Sequence, residues 1–134
     1  MRGAGARLAE NMATSLSIPV ATSQRTVPVK VLDEKRQIIN THLALLGRGK
    51  VSYTHLIAWA IVQALKEYPS LNHAFTDSEN GPVRIIRKHT NIGIAVDVPG
   101  KDGNRSLLVP NIKKSDEMNF GQFLAAFDDV VARA

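Results

Sequence analysis

The four histidines are the residues with the widest chemical range in this chain, because histidine can act as a general base or as a metal ligand. Successive histidines are separated by 13, 18 and 16 residues, a spacing unlike zinc motifs such as His-Glu-x-x-His. The absence of cysteine removes thiolate ligands and a cysteine nucleophile. We therefore predict packed or surface histidines, no metal site and no catalytic residue within this chain. The histidines are His42, His55, His73 and His89.

A glycine-containing loop at residues 47–52 superficially resembles a phosphate-binding loop. Its spacing does not match Gly-x-x-x-x-Gly-Lys-Ser/Thr, and no predicted strand leads into it. The sequence also lacks the Gly-x-Ser-x-Gly motif of a nucleophile elbow. The loop is therefore predicted to be a solvated connector.

Lys101 and Arg105 are the only candidate binding residues, and both lie in a short polar segment between two apolar runs. Cationic side chains at the mouth of a substrate channel would complement phosphate groups. Charged residues are also common in a turn that only faces solvent. Both interpretations of the two cations remain open at this point.

The stretch 90–114 is predicted to form a β-hairpin that the rest of the chain covers. Asp102 and Gly103 suit a tight turn, whereas Pro110, in the second predicted strand Ser106–Ile112, favours an edge or a bulge. One face of the first strand is expected to meet a core. Branched residues alternate there with small or acidic ones: Ile92, Ile94, Val96 and Val98 against Gly93, Ala95 and Asp97.

Hydrophobic periodicity predicts four helices, at residues 2–16, 33–46, 53–68 and from 120 onward. Their predicted N-caps are Asp33, Ser52 and Asn119, the last paired with Gln122, and Gly47 is predicted to end the second helix. The third helix is apolar on most sides, so it is expected to be covered on more than one. The predicted buried positions are Ala4, Leu8, Met12 and Leu16; Ile39, Leu43 and Leu46; Leu56, Ile57, Ala60, Ile61, Ala64 and Leu65; and Phe120, Phe123, Leu124, Phe127 and Val130.

Two further strands are predicted, Val20–Val31 and Val83–Lys88, with a polar turn at 77–82. Val27, Val29 and Val31 alternate with polar residues or proline, and Pro28 favours an edge position.

Composition limits the class of protein. The 134 residues are 44% apolar, which suits one globular domain. A net charge of +5 is dispersed and only 5% of residues are aromatic, so the pattern does not favour a nucleic-acid partner. The longest apolar run, residues 51–65, is too short to cross a bilayer, so we expect no membrane partner and a cytoplasmic location.

Several motifs together resemble the acyltransferase (E2) catalytic domain of 2-oxoacid dehydrogenase complexes. They are Ile-Gly-Ile-Ala-Val-Asp at 92–97, Leu-Val-Pro at 108–110, and Ser-Tyr-Thr-His-Leu at 52–56 followed by Tyr-Pro at 68–69 and Leu-Asn at 71–72. The segments Ala-Thr-Ser at 21–23 and Gly-Lys-Asp-Gly-Asn-Arg-Ser-Leu at 100–107 are most similar to the actinobacterial branch, in which this region is fused to a 2-oxoglutarate decarboxylase.

The resemblance implies an α/β (α+β) fold, the chloramphenicol-acetyltransferase-like two-layer sandwich, which would be incomplete in this chain. It implies succinyl transfer between a lipoyl group and coenzyme A, with the active sites at the subunit boundaries of a homotrimer. The implied partners are the 2-oxoglutarate decarboxylase region, which uses thiamine diphosphate and Mg²⁺ outside this chain, and dihydrolipoamide dehydrogenase.

The chain departs from the family pattern in what it lacks. The family's histidine in an Asp-His-Arg motif and its hydroxyl in a Ser/Thr-Asn loop are absent, and Pro19-Val20 replaces the common Pro-His. The resemblance therefore predicts that residues 1–134 form the N-terminal portion, about the first half, of one acyltransferase domain. Such a fragment is expected to be inactive alone. A non-catalytic scaffold that holds decarboxylase domains together is the alternative.

Overall fold

The computed structural model describes residues 3–99, 103 and 105–134, and the chain divides into two compact units at Val31 and Leu32. The first unit contains helix α1, Ala4–Ser15, which confirms the predicted helix. Leu8, Met12 and Leu16 are exposed, although the sequence analysis placed them on a buried face. No cover for that stripe lies among the described residues of this unit.

The predicted strand Val20–Val31 is wrong. Residues 19–29 have no regular secondary structure, and a helix already begins at Lys30. An extended segment becomes a strand only when another strand satisfies its backbone hydrogen bonds, and no described strand pairs with it. Its valines are exposed in consequence.

Helix α2 spans Lys30–Leu45 and ends as predicted at Gly47, which adopts a φ of 64°. The Arg48 N–H donates to the Leu43 carbonyl at 2.9 Å, and the Gly47 N–H donates to Ala44 at 3.1 Å. This pair of bonds is a Schellman motif, which glycine favours because it has no Cβ.

The predicted N-cap of α2 is also wrong, because the helix starts three residues earlier and Asp33 lies in its first turn. The Asp33 carboxylate instead accepts hydrogen bonds from the Arg36 guanidinium at 3.2 Å, from the Gln37 amide at 2.9 Å, and from the Tyr53 hydroxyl. Asp33 therefore joins α2 to the start of the next helix.

Helix α3 spans Tyr53–Glu67 and begins at the predicted cap, Ser52. Its buried residues are His55, Ala58 and Val62, whereas Ile57 and Ile61, predicted to be buried, are exposed. The face was assigned wrongly because this helix is apolar on most sides, so periodicity could not choose among them. Within the described residues, the buried positions of α3 lie on one face, so the prediction that this helix is covered on more than one side is wrong.

A 3₁₀ turn, Pro69–Asn72, leads to a hairpin of β1, Ala74–Ser78, and β2, Gly81–Ile85. The predicted turn at 77–82 was too long, because Asp77 pairs with Pro82 inside the hairpin. The predicted strand Val83–Lys88 correspondingly begins and ends earlier.

The predicted hairpin at 90–114 is present as a ribbon of four short strands. Strands β3, Ile92–Gly93, and β4, Val96–Pro99, pair antiparallel with β6, Asn111–Ile112, and β5, Arg105–Leu108, respectively. The pairing is interrupted in the middle, where Pro110 has no N–H, but the Ile94 N–H still donates to the Pro110 carbonyl at 3.0 Å. The β3–β6 and β4–β5 pairs continue the same antiparallel register. The predicted alternation of burial along the first strand is confirmed, because residues 92, 94, 96 and 98 are half-buried and the residues between them are exposed.

A 3₁₀ turn, Ser115–Glu117, connects the ribbon to helix α4, Phe120–Ala132, whose cap pairs Asn119 with Gln122 as predicted. The core forms where α3, α4 and the ribbon meet. Its buried residues are Ala58, Val62, Ile112, Phe123, Phe127 and Val130, with Ile92, Ile94 and Trp59 packed against them. The mixture of helices and antiparallel strand pairs agrees with the predicted α/β (α+β) class. Within the described ranges, no helix is long and apolar enough to cross a membrane.

Candidate functional site

A cleft of about 510 Å³ opens between the start of α3, the middle of the ribbon and the C-terminal half of α4. It combines apolar walls with hydroxyl, imidazole and carboxylate groups, the mixture typical of a binding site. The lining residues are Ser52, Thr54, His55, Ile94, Ala95, Val96, Asp97, Phe127, Asp128, Val131 and Ala132.

His55 is the buried polar residue of this cleft, and its position follows from the cap of α3. Its Nδ1 accepts a hydrogen bond from the Ser52 N–H at 3.0 Å, which places the proton of the neutral ring on Nε2. Nε2 lies 3.3 Å from the Asp128 carboxylate, without hydrogen-bond geometry, and the ring packs edge-on against Phe127 at 4.2 Å. Since the Nδ1 lone pair is used in the cap, His55 is a packed histidine, as predicted, and cannot act as a base without disrupting that cap.

Arg105 is linked to the cleft by an ion pair with one of its lining residues, whereas Lys101 lies outside the described residues. The Arg105 Nε and Nη2 lie 2.7 and 2.6 Å from the same Asp97 carboxylate oxygen, and both side chains are exposed. Asp97 lines the cleft, so the ion pair connects the predicted cation to it. The pair also reduces the net positive charge that Arg105 presents to an anion.

A second group of chemistry-bearing residues lies at the opposite end of the ribbon. His89, just before β3, contacts Asp116 and Glu117 of the 3₁₀ turn after β6. Sequence reasoning missed this group because it considered histidine spacing, and two of the three residues are carboxylates. A signal was nevertheless present, since residues that flank the two ends of a predicted hairpin must lie close together.

Asp116 is held in place by the backbone. The Thr90 N–H donates to Asp116 Oδ1 at 2.7 Å, and the Ser115 N–H donates to the Thr90 carbonyl at 2.8 Å. Burial acts to raise the pKa of Asp116, but the hydrogen bonds from backbone N–H groups and from His89 outweigh it and hold that pKa below its usual value. The carboxylate therefore stays ionised beside His89.

A third cavity, about 680 Å³ and largely apolar, lies between α2 and α4. Ile38, Ile39, Leu43, Phe120 and Leu124 form most of its wall. Its few polar groups do not converge on one point, so it offers shape and apolar surface rather than a reaction centre.

Comparison with known proteins adds an independent line of observation. Residues 1–134 match the family described as 2-oxoacid dehydrogenases acyltransferase (catalytic domain). The chain is 48% identical over its whole length to the multifunctional 2-oxoglutarate metabolism enzyme of Mycolicibacterium vanbaalenii and 49% identical to that of Mycobacterium sp. strain JLS. It spans only 11% of the length of each of these relatives.

Solved structures agree with this match. The truncated catalytic core of the 2-oxoacid dehydrogenase multienzyme complex from Thermoplasma acidophilum superposes with a TM-score of 0.77 at 28% identity, covering 99% of this chain and 57% of that one. Dihydrolipoamide acetyltransferase of Azotobacter vinelandii superposes with a TM-score of 0.72 at 28% identity. The match covers 95% of this chain and 51% of that one. In both comparisons nearly all of this chain corresponds to little more than half of a catalytic core, which agrees with the predicted incomplete fold.

Proposed function

Because this chain belongs to the 2-oxoacid dehydrogenase acyltransferase (catalytic domain) family, we propose that it forms the N-terminal portion of a dihydrolipoyl succinyltransferase domain. The domain would transfer a succinyl group between a lipoyl thioester and coenzyme A in the 2-oxoglutarate dehydrogenase system, a step of the tricarboxylic acid cycle. The observation that carries the proposal is the identity of 48–49% over the whole chain to multifunctional 2-oxoglutarate metabolism enzymes.

The chemistry requires groups that this chain does not supply alone. Thiol attack on a thioester needs a base for the attacking thiol and a hydrogen-bond donor for the tetrahedral oxyanion. His55 is committed to the cap of α3, and His89 faces two carboxylates at the other end of the ribbon. Because nearly all of this chain corresponds to only 51–57% of the similar catalytic cores, we propose that the base and the oxyanion donor belong to a part of the domain beyond these 134 residues.

The role proposed for this chain is to bind and orient substrate at the ribbon. Arg105 uses Nε and Nη2 for Asp97, which leaves Nη1 to approach a phosphate of coenzyme A at the rim of the cleft. Lys101, four positions before Arg105 in the sequence, is proposed to add a second cation. Ile94 and Phe127, in the walls of the cleft, provide apolar surface for the substrate.

Assembly and partners follow the same proposal. The similar solved structures are catalytic cores of multienzyme complexes, which supports an oligomeric core, and we propose a homotrimer. The proposed partners are a 2-oxoglutarate decarboxylase region, with thiamine diphosphate and Mg²⁺ bound there, and dihydrolipoamide dehydrogenase, all in the cytoplasm.

The test is an acyl-transfer assay on the full-length protein, with dihydrolipoamide as acceptor and succinyl-, acetyl- and isobutyryl-coenzyme A as competing donors. Succinyl transfer with the highest kcat/KM is the expected result. A preference for acetyl or isobutyryl would contradict the proposed substrate. Absence of transfer from any donor would favour a scaffold that holds decarboxylase domains together.

A further inference from the structure

Three potential metal ligands converge at the base of the ribbon, at the end opposite Arg105. They are His89 Nδ1, one oxygen of Asp116 and one oxygen of Glu117, and all three atoms lie within 4.8 Å of one another. The side chains of His89 and Asp116 are each 23% exposed, and that of Glu117 is 54% exposed. The group is thus partly buried, with one side open to solvent.

One nitrogen of His89 faces two carboxylates in this group. His89 Nδ1 lies 3.4 Å from Asp116 Oδ2 and 3.3 Å from Glu117 Oε1. A charge-assisted N–H···O bond is shorter, at about 2.7–2.9 Å, and one ring nitrogen has a single proton to donate. That proton can bond to one of the two carboxylate oxygens, as in the contact with Asp116, and the second oxygen is then left without a hydrogen bond from His89.

The two separations from His89 Nδ1 fit ligands around a tetrahedral cation, and the carboxylate oxygens lie within 4.8 Å of each other, so the exposed Glu117 side chain would complete the geometry on binding. With zinc-to-ligand bonds of about 2.0–2.1 Å, two ligand atoms on a tetrahedron are about 3.3–3.4 Å apart. The two measured separations from His89 Nδ1 have this length. Imidazole nitrogen and carboxylate oxygen are both ordinary zinc ligands.

A backbone hydrogen bond holds the other oxygen of Asp116, and an exposed cation lies near the other oxygen of Glu117. The Thr90 N–H bonds to Asp116 Oδ1 at 2.7 Å, which leaves Oδ2 directed at His89. The Lys114 ammonium lies 3.9 Å from Glu117 Oε2, which leaves Oε1 directed at the same point. Outer groups of this kind commonly fix the ligands of metal sites.

The backbone around the group is also restrained. Lys114 adopts a left-handed φ of 54°, and its N–H donates to the Asn91 side chain at 2.8 Å. The Asn72 side chain donates to the His89 carbonyl at 3.1 Å. The three residues therefore lie on two segments that hydrogen bonds join to each other, beside the buried Ile112 of the core.

We propose that His89, Asp116 and Glu117 bind one Zn²⁺ ion, with water in the fourth position. The ion joins the segment before β3 to the 3₁₀ turn after β6, so its role is to fix the base of the ribbon against the core. The proposal differs from the sequence-based prediction of no metal site, which considered the spacing of histidines and not a histidine beside two carboxylates. This site is separate from the proposed acyl-transfer chemistry and does not depend on it.

The test measures zinc binding to the whole purified protein after removal of metal with a chelator. Calorimetric titration with ZnCl₂ is carried out on the unaltered protein and on the His89→Ala, Glu117→Gln and His42→Ala variants. His42 is an exposed histidine of α2 outside the group and serves as the matched control. Circular dichroism establishes that each variant is folded.

The expected result is one Zn²⁺ equivalent lost, or a Kd raised at least about tenfold, in His89→Ala and in Glu117→Gln, with His42→Ala unchanged. The visible absorption of tetrahedral Co²⁺, substituted for zinc, should be lost in the same two variants. Equal stoichiometry with Kd values within about twofold across all four proteins would overturn the proposal. If His89→Ala does not fold, Glu117→Gln alone tests the proposal. The Glu117 side chain is 54% exposed, so this substitution should leave the fold intact.

Discussion

Arg105 and Asp97 form an ion pair across the β4–β5 ribbon in which two guanidinium nitrogens share a single carboxylate oxygen, at 2.7 and 2.6 Å. The pair is diagonal, since Arg105 stands opposite Pro99 and Asp97 opposite Leu107. Asp97, which lines the cleft, thereby orients the guanidinium while offsetting its charge. Both consequences can be tested on the full-length enzyme.

Replacing Arg105 with alanine should raise the apparent KM for coenzyme A by about two- to fivefold, with little change in kcat, because an exposed charge contact contributes modest binding energy. Asp97→Asn should lower the KM, because it removes the opposing negative charge while the asparagine side-chain oxygen can still accept a hydrogen bond from the guanidinium. The measurement is steady-state kinetics at low ionic strength.

The matched control for Arg105 is Arg84→Ala, which removes an exposed arginine from β2 rather than from the ribbon. A KM for coenzyme A that is the same in the Arg105 and Arg84 variants and in the unaltered enzyme would remove Arg105 from the proposed binding site.

Tyr53 and Asp33 give a prediction about pH. The hydrogen bond from the Tyr53 hydroxyl, followed by that from Arg36, holds the pKa of Asp33 below its usual value of 3.8. Because the folded-state pKa is lowered, the stability from this contact is present above the unfolded-state pKa and is lost as pH falls through the folded-state pKa. Tyr53→Phe should therefore raise the pKa of Asp33 toward 3.8, as measured by carboxyl ¹³C NMR titration.

Tyr68→Phe is the control for this experiment, because Tyr68 lies at the other end of α3. An unchanged Asp33 pKa in Tyr53→Phe, or an equal rise in both variants, would contradict the assigned cause.

Gly93 gives a prediction about packing in the ribbon. A Cβ at this position would lie 3.1 Å from Val109 Cγ1, which is tighter than an ordinary contact, and the branched Val109 side chain has few alternative rotamers. Gly93→Ala should destabilise the domain by at most about 1 kcal/mol, because Val109 is 61% exposed and can relieve part of the crowding by a small shift. The measurement is the midpoint of denaturant unfolding.

The cause can be isolated with a double mutant. In a Val109→Ala background the Gly93 substitution should become neutral or slightly stabilising, because the crowding is gone and alanine loses less backbone entropy than glycine. Gly49→Ala, where nothing lies within 4 Å of the new Cβ, should not destabilise. A loss in Gly93→Ala that persists without the Val109 side chain would exclude crowding as its cause.

Local signals in the sequence predicted much of the fold because they act over a few residues. The caps at Ser52 and Asn119, the glycine stop at Gly47 and the alternating pattern of the ribbon depend on neighbouring residues alone. Their success follows from that short range.

The wrong predictions about the 20–31 strand and the buried face of α3 required knowledge of distant partners. Residues 20–31 read as a strand, but a strand forms only with a neighbour to pair with. The buried face of α3 depends on where α4 packs, and α3 is apolar on several sides. The His89 group likewise joins residues 27 positions apart, so histidine spacing could not reveal it.

Dihydrolipoamide-dependent succinyl transfer, measured for the full-length protein and for the 134-residue chain at equal molar concentration, shows whether these residues carry a complete active site. We expect transfer by the full-length protein and a rate equal to the blank for the 134-residue chain, because we propose that the base and the oxyanion donor lie outside it. Transfer above the blank by the isolated chain would contradict this division of the active site. A full-length protein without activity would contradict the acyltransferase assignment itself.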